Sequence, residues 1–156
     1  MKKIVALLFA TVLFVSADVE VSDIKYKSNE KFLGGEYVLN GAGVREKWFI
    51  DLYAIGLYVK EKSSDGSVIL DSDANKFVRI VIVSSLITAE KFHKGLNDGF
   101  EKSTQGKTDS IKKEIALVRN GFGSDFAADD EFIVYFDQSG ETKIYKSGKE
   151  TVKVPA

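Results

Sequence analysis

A single arginine closes a glycine-rich segment that precedes a long apolar stretch. The segment reads GAGVR, from Gly41 to Arg45, and the stretch WFIDLYAIGLYV begins three residues later, at Trp48, with Asp51 as its only charge. A guanidinium stays charged and can hold a carboxylate with two parallel hydrogen bonds. Arg45 therefore either points into water at the end of a hairpin, as most arginines do, or receives the anionic head of an apolar ligand.

Tyr53 is a second group that this stretch offers to an anion. It follows Arg45 by eight residues, so on one continuous strand both side chains would share a face. That strand would separate them by roughly 26 Å, too far for one carboxylate. We expect them to converge only if the chain turns between them, and we place the turn at Glu46–Lys47. The alternative is a core tyrosine whose hydroxyl bonds to the backbone.

An apolar stripe follows Thr88, which is a suitable helix N-cap. Phe92, Leu96 and Phe100 recur every four residues and predict an amphipathic helix, with Gly99 beside the stripe. The stripe is either the core face of this helix or a lining for a ligand tail. The same two interpretations apply to Trp48, Phe49 and Tyr58 of the apolar stretch.

The sequence gives little support for a catalytic site or a metal site. His93 is the only histidine and the chain has no cysteine, which excludes thiol catalysis and cysteine metal sites. A role for His93 as a lone general base needs a substrate within reach, and its place next to Phe92 predicts that it points away from the apolar stripe. The acidic segments 71–75 and 125–131 lack calcium-loop spacing and predict solvated turns. We predict no cofactor and no metal.

The order of elements predicts an α+β domain. Alternating and β-branched segments predict strands at VEVSDIKYK, EYVLNGAG (ending in Gly41 and Gly43), WFIDLYAIGLYVK, KFVRIVIVSS, EFIVYFD and ETKIYK, with SGKETVKV as a short last strand. Two helices separate the fourth and fifth, the second running from about Asp109 to a stop at Asn120–Gly121. Helices gathered on one face of a mainly antiparallel sheet can hold a ligand between the layers.

The N-terminus has the features of an export signal. MKK is followed by the apolar run IVALLFATVLFV and by VSA, whose small residues precede a cleavage site. We expect residues 1–17 to be a signal peptide, with an uncleaved anchor helix as the alternative, and residues 18–156 to form one domain. The protein is then periplasmic or secreted, with no membrane span after cleavage. The 22 basic and 23 acidic residues form no basic stripe, which makes nucleic acid an unsuitable partner.

GAGVR followed by YAIGLYV resembles the opening signature of chalcone isomerases and their non-catalytic relatives. KFVRIVIVSSLITAEKF resembles the next signature of that family, and the resemblance covers residues 22 to 146, closest to its bacterial exported branch. It implies an open β-sandwich with a helix layer on one face. It also implies a ligand cleft, which in the plant fatty-acid-binding branch holds a fatty acid.

The resemblance carries over to four positions. Arg45 matches the family's arginine, which contacts flavonoid in the enzymes and carboxylate in the fatty-acid binders. Tyr53 replaces a threonine of the enzymes, and the pair Tyr plus Arg is the fatty-acid-binding pattern. Phe92 replaces a tyrosine and Gly99 an asparagine, although Asn97 is close by. Three of four matched positions have lost the residue type of the enzymes.

Three hypotheses follow. The first is a non-catalytic binding protein for fatty acids or similar amphipathic carboxylates, with Arg45, Tyr53, Phe92, Leu96 and Gly99 at the site. The second is an isomerase of flavonoid-like enones that uses Tyr53 or Asn97 as donors. The third is a structural or partner-binding envelope protein whose interior is fully packed.

Overall fold

The computed structural model describes residues 17–156, so the predicted signal peptide lies outside them except for its last residue. Seven strands form one curled antiparallel sheet in which each strand pairs with the next along the chain. They are β3 (Asn29–Phe32), β4 (Gly35–Lys47), β5 (Ile50–Val59), β6 (Lys76–Ile82), β7 (Glu131–Phe136), β8 (Thr142–Lys146) and β9 (Lys149–Val154).

A small hairpin covers part of one face of this sheet. The sequence predicted one strand at VEVSDIKYK, but the structure has two: β1 (Val19–Val21) and β2 (Ile24–Tyr26). The chain reverses between them at Ser22 and Asp23, which both have positive φ. Tyr26 lies so close to Gly56 of β5 that a Cβ at position 56 would overlap the tyrosine ring.

Three helices accompany the sheet: α1 (Gly66–Asp71), α2 (Ala89–Ser103) and α3 (Lys112–Phe122), the last after a 3₁₀ turn at Asp109–Ile111. The hydroxyl of Thr88 caps α2 by accepting the N–H of Lys91 at 3.3 Å, as predicted.

The predicted stop of α3 at Asn120–Gly121 is wrong, because the helix continues to Phe122 and is capped by Gly123 at φ 74°. Gly121 serves packing instead. A Cβ there would lie 2.8 Å from Cδ1 of Ile144, so the glycine lets α3 approach the sheet.

Each face of the sheet carries its own apolar core, and the predicted α+β class with helices on one face is confirmed. The helix-side cluster has α2 and α3 packed on the sheet, and its buried members are Ile80, Ile82, Ile87, Phe92, Phe122, Phe132 and Ile144. The cluster on the opposite face is rich in tyrosine, and its buried members are Tyr26, Tyr37, Leu39, Ala54, Tyr58, Phe77, Ile133, Tyr135 and Tyr145.

The β4–β5 hairpin differs from its prediction in two respects. Strand β4 does not end at Gly41 and Gly43 but runs through both to Lys47. The turn lies at Trp48 and Phe49, with φ 54° and 63°, and not at Glu46–Lys47. Two-residue turns with positive φ at both positions match the right-handed twist of paired strands, which explains why this tight turn connects two long ones.

Candidate functional site

Arg45 and Tyr53 are direct partners across the β4–β5 hairpin. Residues paired in this way project from the same face of the sheet, with Cβ atoms roughly 4.5–5.5 Å apart. The register shifts immediately beyond them, because Glu46 pairs with Asp51 and leaves Leu52 as an extra residue. This bulge allows Leu52 and Tyr53 to contact the same helix-side cluster, although they are neighbours in sequence.

An open apolar strip extends from this pair along the helix-side face. Gly43 pairs with Ile55 and Gly41 with Leu57, and we call these four residues the β4–β5 strip. A Cβ at Gly41 or Gly43 would find no heavy atom within 4 Å, and Ile55 and Leu57 remain half-buried. Four residues along β4 advance about 14 Å, so on its glycine side the strip leaves that length of sheet uncovered, with Arg45 at its end.

The Arg45 guanidinium is exposed and has no ion pair or hydrogen bond with any residue in the range 17–156. Arg79 of β6 is different. It contacts Oε2 of Glu131 at 2.7 Å through both Nε and Nη2, and donates from Nη1 to the Lys25 carbonyl at 2.9 Å. Arg45 therefore keeps its donors available to an anion, whereas those of Arg79 are engaged.

Tyr53 presents a protonated hydroxyl next to this charge. Burial raises the pKa of the phenol, and the nearby Arg45 charge partly opposes that rise. Within the described part of the chain its hydroxyl makes no hydrogen bond, unlike that of Tyr58, which donates to the Lys27 carbonyl at 3.1 Å. The alternative of a core tyrosine bonded to the backbone is therefore not found, and the hydroxyl can donate to a ligand.

Phe92 joins this group from α2. Its ring centroid lies 5.7 Å from that of Tyr53 in an edge-to-face arrangement, and it also packs against Phe122 at 4.8 Å. Leu96 packs on the same cluster one helical turn later. Gly99 is exposed, and a Cβ there would meet nothing within 4 Å. Arg45, Tyr53 and Phe92 thus form one continuous group with Leu96 at its border, and the role of each in binding stays a prediction.

A second, more polar groove lies beside α2 and the end of α3. It has a volume of about 590 Å³, and its lining includes His93, Asn97, Arg119 and Ser124. Burial and the charge of Arg119 lower the pKa of His93. Asn97, which the sequence suggested as an alternative to Tyr53 as the donor of an isomerase, lines this groove. Neither Arg45 nor Tyr53 is among the groove's lining residues.

Sequence reasoning missed Ile55, Leu57 and Arg119. The two strip residues carry a detectable signal, because they follow Tyr53 at intervals of two in YAIGLYV and so share its face. Arg119 has only the weak signal of a cation in the last turn of a helix.

In residues 17–156, no group of three or more acidic or histidine side chains is placed to hold a metal ion. No helix in that range has the length and apolar character needed to cross a bilayer.

Comparisons with known proteins identify a family and a fold. The model of chalcone isomerase-like proteins matches residues 18–156. Among solved structures, a fatty-acid binding protein from Arabidopsis thaliana superposes with a TM-score of 0.68 at 14% identity, covering 89% of this chain and 82% of that one. At that identity the likeness concerns the fold. A search of curated proteins found no similar sequence.

Proposed function

The chain belongs to the chalcone isomerase-like family, and we propose that it is a non-catalytic binding protein for fatty acids or similar amphipathic carboxylates. One observation carries the proposal. An arginine without a partner in residues 17–156 lies beside a protonated tyrosine, at the end of an uncovered apolar strip. The two groups suit a carboxylate, and the β4–β5 strip suits the alkyl tail attached to it.

The tail supplies most of the affinity in this account. Burying one methylene contributes ~0.8 kcal/mol, so a long acyl chain contributes roughly 10 kcal/mol before ordering costs. A charge-assisted hydrogen bond adds about 1.5–3 kcal/mol. Arg45 therefore sets the orientation of the ligand and its preference for anions, while Ile55, Leu57 and the space above the glycines accept the tail.

The solved structure that shares this fold supports the choice of ligand class, since it is named as a fatty-acid binding protein. The pairing of residues in this chain explains how it could hold a carboxylate. Tyr53 and Arg45 are paired across one hairpin, so no movement of the backbone is needed to bring them to one carboxylate.

We place this activity outside the cytoplasm, in the periplasm or beyond. The support is the sequence of residues 1–17 and the absence of cysteine from the chain, which fits a bacterial exported protein without disulfides. Expression of the full chain in bacteria, followed by fractionation and intact mass measurement, tests the assignment. Protein that begins at Asp18 in the periplasmic fraction is the expected result, and full-length protein in the cytoplasm would overturn it.

An isomerase acting on enones is the second candidate, and the observation that favours it is the protonated Tyr53 hydroxyl next to Arg45. The other positions argue against it. Asn97 lines the separate groove, and Phe92 offers no hydroxyl. Adding a chalcone to the protein and following its visible absorbance separates the two candidates, because only an isomerase removes the colour catalytically.

The proposed function is tested by native mass spectrometry of the protein as purified, followed by organic extraction. We expect a co-purifying fatty acid, or binding of added palmitate at one-to-one stoichiometry. Protein that is empty and also ignores added fatty acids of several chain lengths would overturn the proposal.

A further inference from the structure

The turn of the β4–β5 hairpin presents two aromatic side chains to solvent. Trp48 is 81% exposed and Phe49 is 95% exposed, and we call these two residues the hairpin tip. Ile50, which follows the tip, and Val44, four residues before Trp48, are also exposed. Aromatic rings normally contribute their large apolar area to a core or an interface, so a pair of them at a projecting turn requires an explanation.

The backbone of the tip adds a second, independent observation. Trp48 and Phe49 both have positive φ, at 54° and 63°. Turns of this kind favour asparagine and glycine, because bulky side chains meet steric resistance in the left-handed region. The tip is therefore unfavourable both in solvation and in backbone conformation, and turn geometry alone does not account for its two residues.

The size and shape of the tip limit what it can bind. Two aromatic side chains bury about 150–250 Å² each, so the tip offers less than the ≈ 800 Å² per partner of a standard protein interface. It is also convex and narrow. A lipid surface, in contrast, requires no matching shape, and aromatic rings accumulate at the boundary between headgroups and acyl chains.

We infer that the hairpin tip is a lipid-surface anchor, in which Trp48 and Phe49 insert together into the headgroup region of a bilayer. The inference goes beyond ligand binding and stands without it. Arg45 lies on β4 only three residues before Trp48, so insertion of the tip holds the end of the β4–β5 strip close to the lipid.

Positive and negative charges near the tip are balanced, so the tip has no preference for anionic over zwitterionic lipid. Arg45 and Lys47 are positive, while Glu46 and Asp51 are negative, and Asp51 accepts a hydrogen bond from Ser22. Net attraction to anionic lipid is therefore absent from this hairpin. Insertion depends on the two aromatic rings, so the tip also inserts into bilayers of zwitterionic phosphatidylcholine. Salt changes this binding only weakly.

Trp48 is the only tryptophan of the chain, so its fluorescence reports on the tip alone. The experiment adds phosphatidylcholine vesicles, free of fatty acid, to the exported protein. We expect a blue shift of the emission and quenching by vesicles of brominated phosphatidylcholine. Absence of both up to millimolar lipid overturns the inference, as does a blue shift that depends on protein concentration without vesicles, which indicates self-association.

Variants make the test specific. The double substitution W48N/F49G installs the residues that such a turn prefers, so it keeps or raises stability while removing both rings. We expect the partition coefficient of the protein onto vesicles, measured by flotation, to fall by at least about tenfold. Each ring buried in lipid raises that coefficient by more than one decade. Leu70→Ser, which removes a side chain 79% exposed on α1, is the matched control and leaves flotation unchanged. Equal flotation of W48N/F49G and the unaltered protein overturns the inference.

The flotation comparison uses protein without residues 1–17, because that apolar segment would itself bind vesicles in every variant. A failed vesicle test does not affect the fatty-acid proposal, because that proposal is measured in the absence of lipid surfaces.

Discussion

Arg45 and Tyr53 face each other across the β4–β5 hairpin, although eight residues separate them in sequence. The reversal at Trp48 and Phe49 replaces a separation of roughly 26 Å along one strand by the short distance between paired strands. An exposed guanidinium and a half-buried phenol thereby meet at the end of the β4–β5 strip.

Replacing Arg45 by alanine weakens fatty-acid binding without loss of stability. The guanidinium contributes a charge-assisted hydrogen bond of about 1.5–3 kcal/mol, so affinity falls about 10- to 100-fold while the tail still binds. Stability is kept because Arg45 is exposed and unpaired in the described residues. Titration calorimetry and thermal unfolding measure the two effects.

Arg119→Ala is the matched control, since it removes a guanidinium from the groove beside α2 and α3. We expect its affinity to equal that of the unaltered protein. If Arg119→Ala weakens binding and Arg45→Ala does not, the carboxylate lies in that groove and our assignment of the site is wrong.

Replacing Tyr53 by phenylalanine separates the hydroxyl from the ring. The ring keeps its edge-to-face contact with Phe92, so the free energy of unfolding is expected to stay within about 0.5 kcal/mol. One neutral hydrogen bond of about 0.5–1.5 kcal/mol is lost, which lowers affinity about two- to tenfold. An unchanged affinity would show that the Tyr53 hydroxyl does not contact the ligand.

Replacing Gly43 by valine fills the open part of the β4–β5 strip. A Cβ at this position meets nothing within 4 Å and valine favours strands, so the variant folds at least as well as the original. Its side chain occupies the space that we assign to the tail, and palmitate affinity is expected to fall severalfold. Binding equal to that of the original protein would place the tail elsewhere.

Gly56→Ala is the contrasting variant on the neighbouring strand. Its Cβ would overlap the ring of Tyr26, which lies on the face away from the strip. We expect a loss of about 1–3 kcal/mol in the free energy of unfolding and little change in affinity for the folded protein. Chemical denaturation and calorimetry on the two glycine variants test both statements.

Alkaline pH should unfold the protein through its buried tyrosines. Burial raises the pKa of Tyr26, Tyr58 and Tyr145 from 10.0 to about 12. A raised pKa in the folded state means full stability below the unfolded pKa, followed by a progressive loss as pH rises from about 10 to about 12. Urea denaturation across this range, together with tyrosinate absorbance, measures the effect. Ionisation of all three phenols at their ordinary pKa in the folded protein would contradict it.

Much of the fold follows from local patterns, and the exceptions have identifiable causes. Thr88 before a stripe of period four predicts α2, because one face of that helix is buried. A run rich in β-branched residues predicts β6, which is covered on both faces. α1 and β3 went unpredicted because both are short: the three apolar residues of α1 are consecutive and none is buried, and β3 has a single apolar residue, Phe32. Trp48 and Phe49 were assigned to a strand because bulky aromatic residues are unusual in a turn with positive φ.

For the site, the sequence predicts the residue types but not their arrangement. The residue types of Arg45 and Tyr53 suggested an anion, but their pairing depends on a register with a bulge at Leu52, which no local pattern predicts. Gly41 and Gly43 suggested a turn or a close approach of the backbone. They instead leave the sheet uncovered, a property that depends on where α2 lies and cannot be inferred from the glycines alone.

The measurement that tests the central claim most directly compares palmitate with hexadecanol, an alcohol of equal chain length, on the unaltered protein and on Arg45→Ala. If Arg45 receives the carboxylate, the unaltered protein prefers the acid by about tenfold or more, and Arg45→Ala binds acid and alcohol almost equally. A preference for the acid that persists in Arg45→Ala would contradict the account, because the group that recognises the carboxylate would then lie elsewhere.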